Sequence, residues 1–184
     1  MAKKDIILSG VGGQGILSIA TVIGWAALDQ NLHLKQAEVH GMSQRGGDVQ
    51  SNLRISTERI WSDLIPKGEC DLILSLEPME ALRYLPWLSK GGWIVTNSTP
   101  FVNIPNYPPV EEITAELQKI GNVITLDCDE IAKQTGSPRS ANMVLLGASA
   151  AVLEILDPDK LREGITNVFS RKGEKIVEMN IAAF

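Results

Sequence analysis

The sequence predicts one α/β domain with a mainly parallel sheet, and three observations lead to that prediction. Short apolar runs of strand length alternate with segments in which apolar residues recur at helical spacing. A glycine-rich loop follows the first run. No internal repeat or low-complexity linker divides the 184 residues, and a chain of this length fits roughly one domain of ~100–200 residues. We therefore expect residues 1–184 to form a single domain.

The first part of the chain predicts three strands and one helix. The first strand is a buried apolar run bounded by glycines, and the third alternates apolar with polar residues, which is typical of a strand with one solvent-facing side. Between them, apolar residues at helical spacing predict a mostly buried helix. The predicted elements are a strand at 5–9, a helix at 14–28, and strands at 32–39 and 48–56.

The second part predicts three further strands and several helices. Pro78 begins a helix at the position that proline favours, and Gly91 and Gly92 end it. Four prolines exclude residues 99–109 from the sheet. Asp129 is the expected N-cap of a short helix. The predicted strands cover 71–76, 93–97 and 123–126, and the predicted helices cover 110–120, 129–135, 140–156 and 158–170, with a helical pattern over 176–184.

The charge and cysteine content exclude several classes of function. With 17 basic and 22 acidic residues the net charge is −5, which disfavours nonspecific nucleic-acid binding. Two cysteines cannot supply an iron–sulfur cluster or a structural zinc site, so we expect free thiols, no bound metal and a cytoplasmic protein. The long uncharged stretch near the N-terminus is interrupted by glycines, so we expect no membrane span.

A glycine loop between the first strand and the first helix is the first candidate site. Its G-x-G-x-x-G spacing lets backbone N–H groups approach a ligand, and a helix N-terminus favours an anion. A tight turn without a ligand is the alternative interpretation. The residues predicted to contact an anion or cofactor are Gly10, Gly12, Gly13, Gln14 and Gly15.

The same loop allows a second interpretation, a stand-alone NAD- or FAD-binding Rossmann-type module that acts as a reductase or sensor. Such a module needs an acidic residue at the end of the second strand to bind the ribose, and Glu38 lies near that position. Gln14 argues against it, because the dinucleotide fingerprint does not require an amide at the start of the helix.

A polar, glycine-bearing loop at residues 40–47 is the second candidate site. If its strand precedes it in the parallel sheet, this loop lies at the same sheet edge as the glycine loop. Arg45 can bind a phosphate or carboxylate, or it can pair with Glu38 or Asp48. Asn142, near the start of a later helix, can reach a ligand or cap that helix. The residues predicted here to bind a cofactor are Ser43, Gln44, Arg45, Gly46, Gly47 and Asn142.

Two common catalytic motifs are missing from the sequence. It has no Walker A motif, which argues against P-loop nucleotide hydrolysis. It also has no G-x-S-x-G nucleophile elbow, which argues against the usual serine hydrolase.

Three motifs together resemble a known family. They are GVGGQG at 10–15, EVHGMSQRGG at 38–47 and NMVLLGA at 142–148. The chain resembles the gamma-type subunits of 2-oxoacid:ferredoxin oxidoreductases over nearly its whole length. Within that family it is most similar to the small (beta) subunits of the indolepyruvate-specific enzymes, whose middle motif has this pattern.

The resemblance implies a fold, an activity and a partner. The fold would be a three-layer α/β/α domain with a Rossmann-like, mainly parallel sheet, as in the gamma domain of pyruvate:ferredoxin oxidoreductase. The family converts 2-oxoacids and coenzyme A into acyl-CoA and carbon dioxide, and it reduces ferredoxin. Thiamine diphosphate, magnesium and the iron–sulfur clusters would lie on a larger partner subunit. This chain would then interact with ferredoxin only indirectly.

For this chain the resemblance implies contact with coenzyme A and no cofactor held alone. The assembly would be a heteromer, with a dimer of heterodimers as one arrangement. The alternative of a stand-alone NAD- or FAD-binding module stays open at the level of the sequence.

Overall fold

A computed structural model of the chain describes residues 2–40 and 46–184, apart from the side chain of His40. The strands of this part are β1 Lys3–Val11, β2 His33–His40, β3 Asp48–Ser56, β4 Cys70–Ser75, β5 Leu88–Asn97 and β6 Val123–Leu126. They form one sheet in the order β2-β3-β1-β4-β5-β6.

The sheet is mainly parallel, as predicted, with one antiparallel strand. β3 runs antiparallel to both of its neighbours, β1 and β2, and the β1–β4, β4–β5 and β5–β6 pairs are parallel. β2 therefore runs in the same direction as β1, with β3 between them. The loops that follow β1 and β2 consequently leave the same carboxyl edge of the sheet.

Helices cover both faces of the sheet and make three layers, which confirms the predicted α/β/α architecture. The helices are α1 Ile16–Asp29, α2 Pro78–Arg83, α3 Val110–Gln118, α4 Cys128–Gln134, α5 Ala141–Ser149, α6 Pro158–Phe169 and α7 Glu174–Ala183. α1 and α4 to α7 pack on the face that includes Ile6 and Leu8. α2 and α3 pack on the opposite face, which includes Ile7 and Ile73. In the part of the chain described, no helix has both the length and the apolar character needed to cross a bilayer.

The helix predicted from Pro78 to Gly91 and Gly92 is shorter than expected. α2 ends at Arg83, a 3₁₀ turn covers Leu85–Trp87, and β5 begins at Leu88. Gly92 lies within β5, where a Cβ atom would stand 2.8 Å from the carbonyl oxygen of Cys70 on β4. This glycine therefore allows two strands to approach closely and does not end a helix.

The helix predicted over 140–156 is also shorter. α5 ends at Ser149, and the backbone bonds from Ala150 to Gly147 and from Val152 to Ser149 each close a tight turn. These turns carry Leu153 into the core. Gly147 on α5 faces α7, where its Cβ atom would stand 2.2 Å from the backbone oxygen of Phe184. The small residues of α5 therefore serve close packing against the last helix.

Two polar predictions need correction. The N-cap of α4 is Asp127, which accepts a hydrogen bond from Glu130 N at 2.8 Å, whereas Asp129 accepts one from Asn97 Nδ2 at 2.9 Å. The polar side of β3 does not face solvent along its length, because Asn52 and Ser56 are buried and Arg54 Nη1 donates to the carbonyl oxygens of Ser62 and Leu64. Asn52 Oδ1 accepts a hydrogen bond from Ile65 N at 3.3 Å, which satisfies that buried polar group.

Candidate functional site

The glycine loop is braced from inside by the side chain of Gln14. Gln14 Oε1 accepts a hydrogen bond from Val11 N at 2.7 Å, and Gln14 Nε2 donates one to the carbonyl oxygen of Leu76 at 3.1 Å. A Cβ atom on Gly10 would stand 2.9 Å from Gln14 Oε1. The amide of Gln14 therefore ties the end of β1 to the end of β4, and it needs a glycine at position 10.

The described end of the second loop, Gly46 and Gly47, meets the glycine loop at the carboxyl edge of the sheet, as the strand directions predicted. Gly12 N donates to the carbonyl oxygen of Gly47 at 2.8 Å, and Gly46 N donates to that of Gly12 at 3.3 Å. The Gly12 amide is therefore engaged within the protein. The predicted site residues Ser43, Gln44 and Arg45, and the side chain of His40, lie outside the described residues.

The stand-alone dinucleotide interpretation does not fit this topology well. In a Rossmann-type site the acidic residue ends the strand beside β1. Here β3 separates β1 from β2, so Glu38 belongs to a strand that is two strand spacings, about 10 Å, from β1. A dinucleotide fingerprint does not require an amide at this position. Here the side-chain amide of Gln14 holds the glycine loop closed through its bonds to Val11 and Leu76.

A cavity of about 550 Å³ opens beside the glycine loop, between the N-terminal ends of α1 and α5 and the α6–α7 connection. It is lined by Gly13, Gln14, Gly15, Ser18, Ser137, Pro138, Arg139, Ser140, Asn142, Phe169, Lys172, Ile176, Met179 and Asn180. Arg139 and Lys172 are the cations of this wall, and none of the described residues that line it is acidic. In a chain of net charge −5, such a wall favours an anionic ligand.

The helix ends at this cavity add to its positive character. α1 and α5 begin here, each without a side-chain cap and without an acidic residue in its first turn. The other described α-helices all carry an acidic residue in the first turn. A helix N-terminus carries a partial positive charge of about half a unit, which an acidic residue in the first turn would offset. The N-termini of α1 and α5 and the cations Arg139 and Lys172 therefore all lie at this cavity.

Asn142 joins the two helix ends. Its Nδ2 donates a hydrogen bond to the carbonyl oxygen of Gly15 at 3.3 Å, and its Oδ1 accepts one from Met143 N at 3.0 Å. The N-cap of α5 is Ser140. Asn142 lies just inside the helix, so it is not the cap that one interpretation of the sequence proposed. It lines the cavity with Gly13 and Gly15, and its predicted role in binding a cofactor stays a prediction.

Buried hydroxyl and amide groups hold the cavity wall formed by the start of α5 and by α7. The hydroxyls of Ser137 and Ser140 lie 2.5 Å apart, and Ser140 Oγ donates to Asn180 Oδ1 at 3.1 Å. Asn180 Nδ2 donates in turn to the carbonyl oxygen of Ile176 at 2.7 Å. These groups are engaged with one another, so the wall has a fixed shape. Of the two cations, Lys172 also contacts the wall, because its Nζ lies 5.1 Å from the centroid of the Phe169 ring.

Sequence reasoning did not identify the two cations of this cavity. Arg139 lies three residues before the predicted Asn142 in the sequence, and this closeness was the one sign that Arg139 could belong to the site. Lys172 is far away in the sequence and comes to the cavity only because α6 and α7 fold back on α1 and α5. The described residues contain no group of three or more His, Cys, Asp or Glu side chains arranged to hold a metal ion.

Several known oxidoreductase subunits are similar to this chain. Indolepyruvate oxidoreductase subunit IorB of Pyrococcus horikoshii is 40% identical over an alignment of 156 residues, and the match covers 80% of this chain and 77% of that protein. The subunit of the same name from Methanothermobacter thermautotrophicus is 37% identical over 188 residues, 98% of this chain and 93% of that one. Ketoisovalerate oxidoreductase subunit VorA of the same organism is 30% identical over 95% of this chain, but the match spans only 33% of VorA.

Solved structures agree with these relatives. The gamma subunit of a keto/oxoacid ferredoxin oxidoreductase from Geobacter sulfurreducens is 27% identical, with a TM-score of 0.68 over 98% of this chain and 93% of that one. A 2-oxoglutarate:ferredoxin oxidoreductase from Magnetococcus marinus, with 2-oxoglutarate, coenzyme A and succinyl-CoA bound, has the same fold. Its TM-score is 0.75 at 21% identity, and this chain spans 30% of that chain's length.

The comparisons confirm the resemblance that the three sequence motifs predicted, and they do not favour the stand-alone dinucleotide module. The family model described as pyruvate ferredoxin/flavodoxin oxidoreductase matches residues 5–184. This chain belongs to the pyruvate ferredoxin/flavodoxin oxidoreductase family.

Proposed function

We propose that this chain is the small subunit of an oxidoreductase that oxidatively decarboxylates arylpyruvates such as indolepyruvate. The products are aryl-acetyl-CoA and carbon dioxide, and ferredoxin accepts the electrons. One observation carries this proposal: the match to a named indolepyruvate oxidoreductase subunit extends over 98% of this chain at 37% identity. Residues 1–184 act in this proposal as one gamma-type catalytic domain, located in the cytoplasm.

The redox chemistry of this reaction belongs to a larger partner subunit. An iron–sulfur cluster needs about four thiolates, and this chain has two cysteines, Cys70 and Cys128, which are separately buried in the two opposite cores. These residues do not fit a cluster. In VorA, the region similar to this chain makes up about a third of a longer chain. This supports a second, larger polypeptide as the partner of this chain. Thiamine diphosphate and magnesium are assigned to that partner.

The contribution of this chain is to bind and orient coenzyme A. Coenzyme A carries phosphate groups, and the 550 Å³ cavity combines Arg139, Lys172 and two uncapped helix N-termini. Gly13, Gly15 and Asn142 line the same space, whereas Gly12 hydrogen-bonds to Gly46 and Gly47, which do not line it. We assign the anionic part of coenzyme A to this cavity. The Magnetococcus marinus enzyme, which has the same fold, was solved with coenzyme A bound, and this supports coenzyme A as the ligand to test.

Substitution of the two cations tests the coenzyme A assignment in the assembled enzyme. Arg139→Ala and Lys172→Ala should each raise the KM for coenzyme A about tenfold, because each removes a charge-assisted contact. The KM for the arylpyruvate should stay unchanged. Arg171→Ala is the matched control, since Arg171 is an adjacent cation that does not line the cavity. A coenzyme A KM within about twofold of the wild-type value in both cavity variants would contradict the assignment.

The second loop is tested separately. Arg45→Ala should raise the KM for coenzyme A or lower turnover, because Arg45 directly precedes Gly46 in the sequence and Gly46 N donates to the carbonyl oxygen of Gly12 in the glycine loop. If both the KM and the turnover of the assembled enzyme stay unchanged, Arg45 has no part in the site. The assignment of Ser43, Gln44 and Arg45 to ligand binding would then be withdrawn.

A further inference from the structure

A segment with no charged residue, here called the strap (residues 98–109), crosses the carboxyl edge of the sheet between β5 and α3. Three large apolar side chains of the strap are exposed to solvent: Phe101 at 45%, Val102 at 67% and Ile104 at 38%. Exposed apolar groups clustered in one short segment are typical of an interaction surface. Four prolines in the strap restrict its backbone.

A buried carboxylate holds the strap in this exposed position. Glu77 is fully buried, and it caps the start of α2 by accepting a hydrogen bond from Glu80 N at 2.7 Å. The same carboxylate accepts hydrogen bonds from the hydroxyl of Tyr107 and from Phe101 N at 3.4 Å. Burying a carboxylate is costly unless it is fully hydrogen-bonded, and two of these bonds come from the strap. The apolar side chains are therefore presented on a fixed frame.

The strap is also continuous with the candidate site. Asn103 Nδ2 donates to the carbonyl oxygen of Gly46 at 2.7 Å, and Gly46 N donates to that of Gly12 in the glycine loop. A line of direct hydrogen bonds therefore runs from Glu77 through the strap to the second loop and the glycine loop. Anything that docks on Phe101, Val102 and Ile104 lies next to the edge where the two loops meet.

We infer that the strap is the surface on which the larger subunit docks, and this inference rests on the proposed function. The occupant is a polypeptide, because in VorA the region similar to this chain is one part of a longer chain. Its contact surface is apolar and uncharged, to match a strap that has no charge. Docking there would place the larger subunit beside the candidate site, since Asn103 of the strap donates a hydrogen bond to Gly46 of the second loop.

The test compares two exposed apolar positions at opposite edges of the sheet. Val102→Asp places a charge on the strap, and Leu28→Asp places one at the end of α1, where Leu28 is 61% exposed. Affinity for the purified larger subunit is measured without oxygen, and thermal unfolding confirms that both variants fold. Val102→Asp should weaken association by more than about tenfold, and Leu28→Asp should stay within about twofold of the wild type.

A second variant removes only the hydrogen bond between Tyr107 of the strap and the buried Glu77. Tyr107→Phe keeps the apolar surface but lacks the hydroxyl that binds Glu77, so it should weaken association less than Val102→Asp does. Unchanged binding of Val102→Asp to the larger subunit overturns the inference while leaving the proposed function intact. A change in the chain's own dimerisation, with that binding unchanged, also overturns it and assigns the strap to a second copy. If the wild-type chain binds no larger subunit, the proposed function itself fails.

Discussion

Asn142 and Gly15 join the N-terminal ends of two helices that are far apart in sequence. Asn142 Nδ2 donates a hydrogen bond to the carbonyl oxygen of Gly15 at 3.3 Å, and a Cβ atom on Gly15 would stand 2.8 Å from the same nitrogen. Gly15 also has a φ of +89°, a left-handed conformation that favours glycine. The positive ends of α1 and α5 are therefore held side by side at the cavity only because position 15 lacks a side chain.

Gly15→Ala should destabilise the chain more than Gly13→Ala. Both glycines have positive φ, but a Cβ atom on Gly13 would meet open space. Gly13→Ala should cost about 1 kcal/mol for backbone strain alone. Gly15→Ala adds a clash with Asn142 and should cost a further ~1–3 kcal/mol. Urea unfolding of both variants measures this difference, and equal losses of stability would show that the contact with Asn142 is not close.

Gly147→Ala should lower the melting temperature even though alanine is the better helix former. A Cβ atom there would stand 2.2 Å from the backbone oxygen of Phe184, so α7 must shift. Overpacking of this kind costs about 1–3 kcal/mol, against a gain in helix propensity of about 1 kcal/mol. Each kcal/mol lost lowers Tm by roughly 2–4 °C in a chain of this size.

Gly121→Ala is the control for that prediction, because a Cβ atom on Gly121 has no neighbour within 4 Å. Calorimetry should show little change for Gly121→Ala. An unchanged or higher Tm for Gly147→Ala would mean that α5 and α7 do not pack as described. Since Ile176, Met179 and Asn180 of α7 line the cavity, Gly147→Ala should also raise the KM for coenzyme A in the assembled enzyme.

Glu80 should make the stability of the chain depend on pH in a particular direction. Burial raises the pKa of Glu80, and the ion pair with Arg83 at 2.8 Å opposes that rise only in part. The folded chain therefore holds this proton more tightly than the unfolded chain does. As a result, the contribution of Glu80 to stability falls as the pH rises from about 4.3, the unfolded carboxyl pKa, through its higher folded pKa.

Glu80→Gln removes this titration. The unfolding free energy of the wild type minus that of Glu80→Gln should decrease between about pH 4 and pH 7, as measured by urea unfolding across that range. Glu116→Gln removes an exposed carboxylate from α3 and controls for the change in net charge. A difference that is flat with pH, or one that increases, would contradict the buried position of Glu80.

The two thiols should not react in the folded chain. Cys70 and Cys128 are fully buried, and burial raises the pKa of each thiol to about 12. Because the thiolate is the reactive form, neither cysteine should be modified by a disulfide reagent at about pH 8 until the chain unfolds. A colorimetric thiol titration with and without denaturant measures this. Rapid modification of one thiol before unfolding would show that its part of the core opens.

Much of the fold could be predicted because the signal is local. The strands and most helices follow from runs and periodicities within a few residues, and the shared edge of the two loops follows from parallel strand directions. The failures depend on packing between distant segments. Gly92 faces Cys70 across a strand pair, and Gly147 faces Phe184, so neither glycine could be interpreted from its neighbours in the sequence.

The candidate site divides in the same way. Gly13, Gly15 and Asn142 were predicted from the motifs and do line one cavity, but their binding role stays a prediction. Gln14 was predicted as a ligand contact, yet both of its side-chain polar atoms bind the backbone of the protein itself. Lys172 had no local signal, because only the return of the last two helices brings it to the site.

The most direct test of the account is turnover by the complex that contains this chain. The chain is tagged in its own cells, the complex is purified without oxygen, and reduction of ferredoxin is followed with indolepyruvate as substrate. The account predicts a complex with a larger iron–sulfur subunit that reduces ferredoxin only when coenzyme A is present. A chain that purifies alone and binds NAD(H), with that affinity lost in Glu38→Ala, would contradict it.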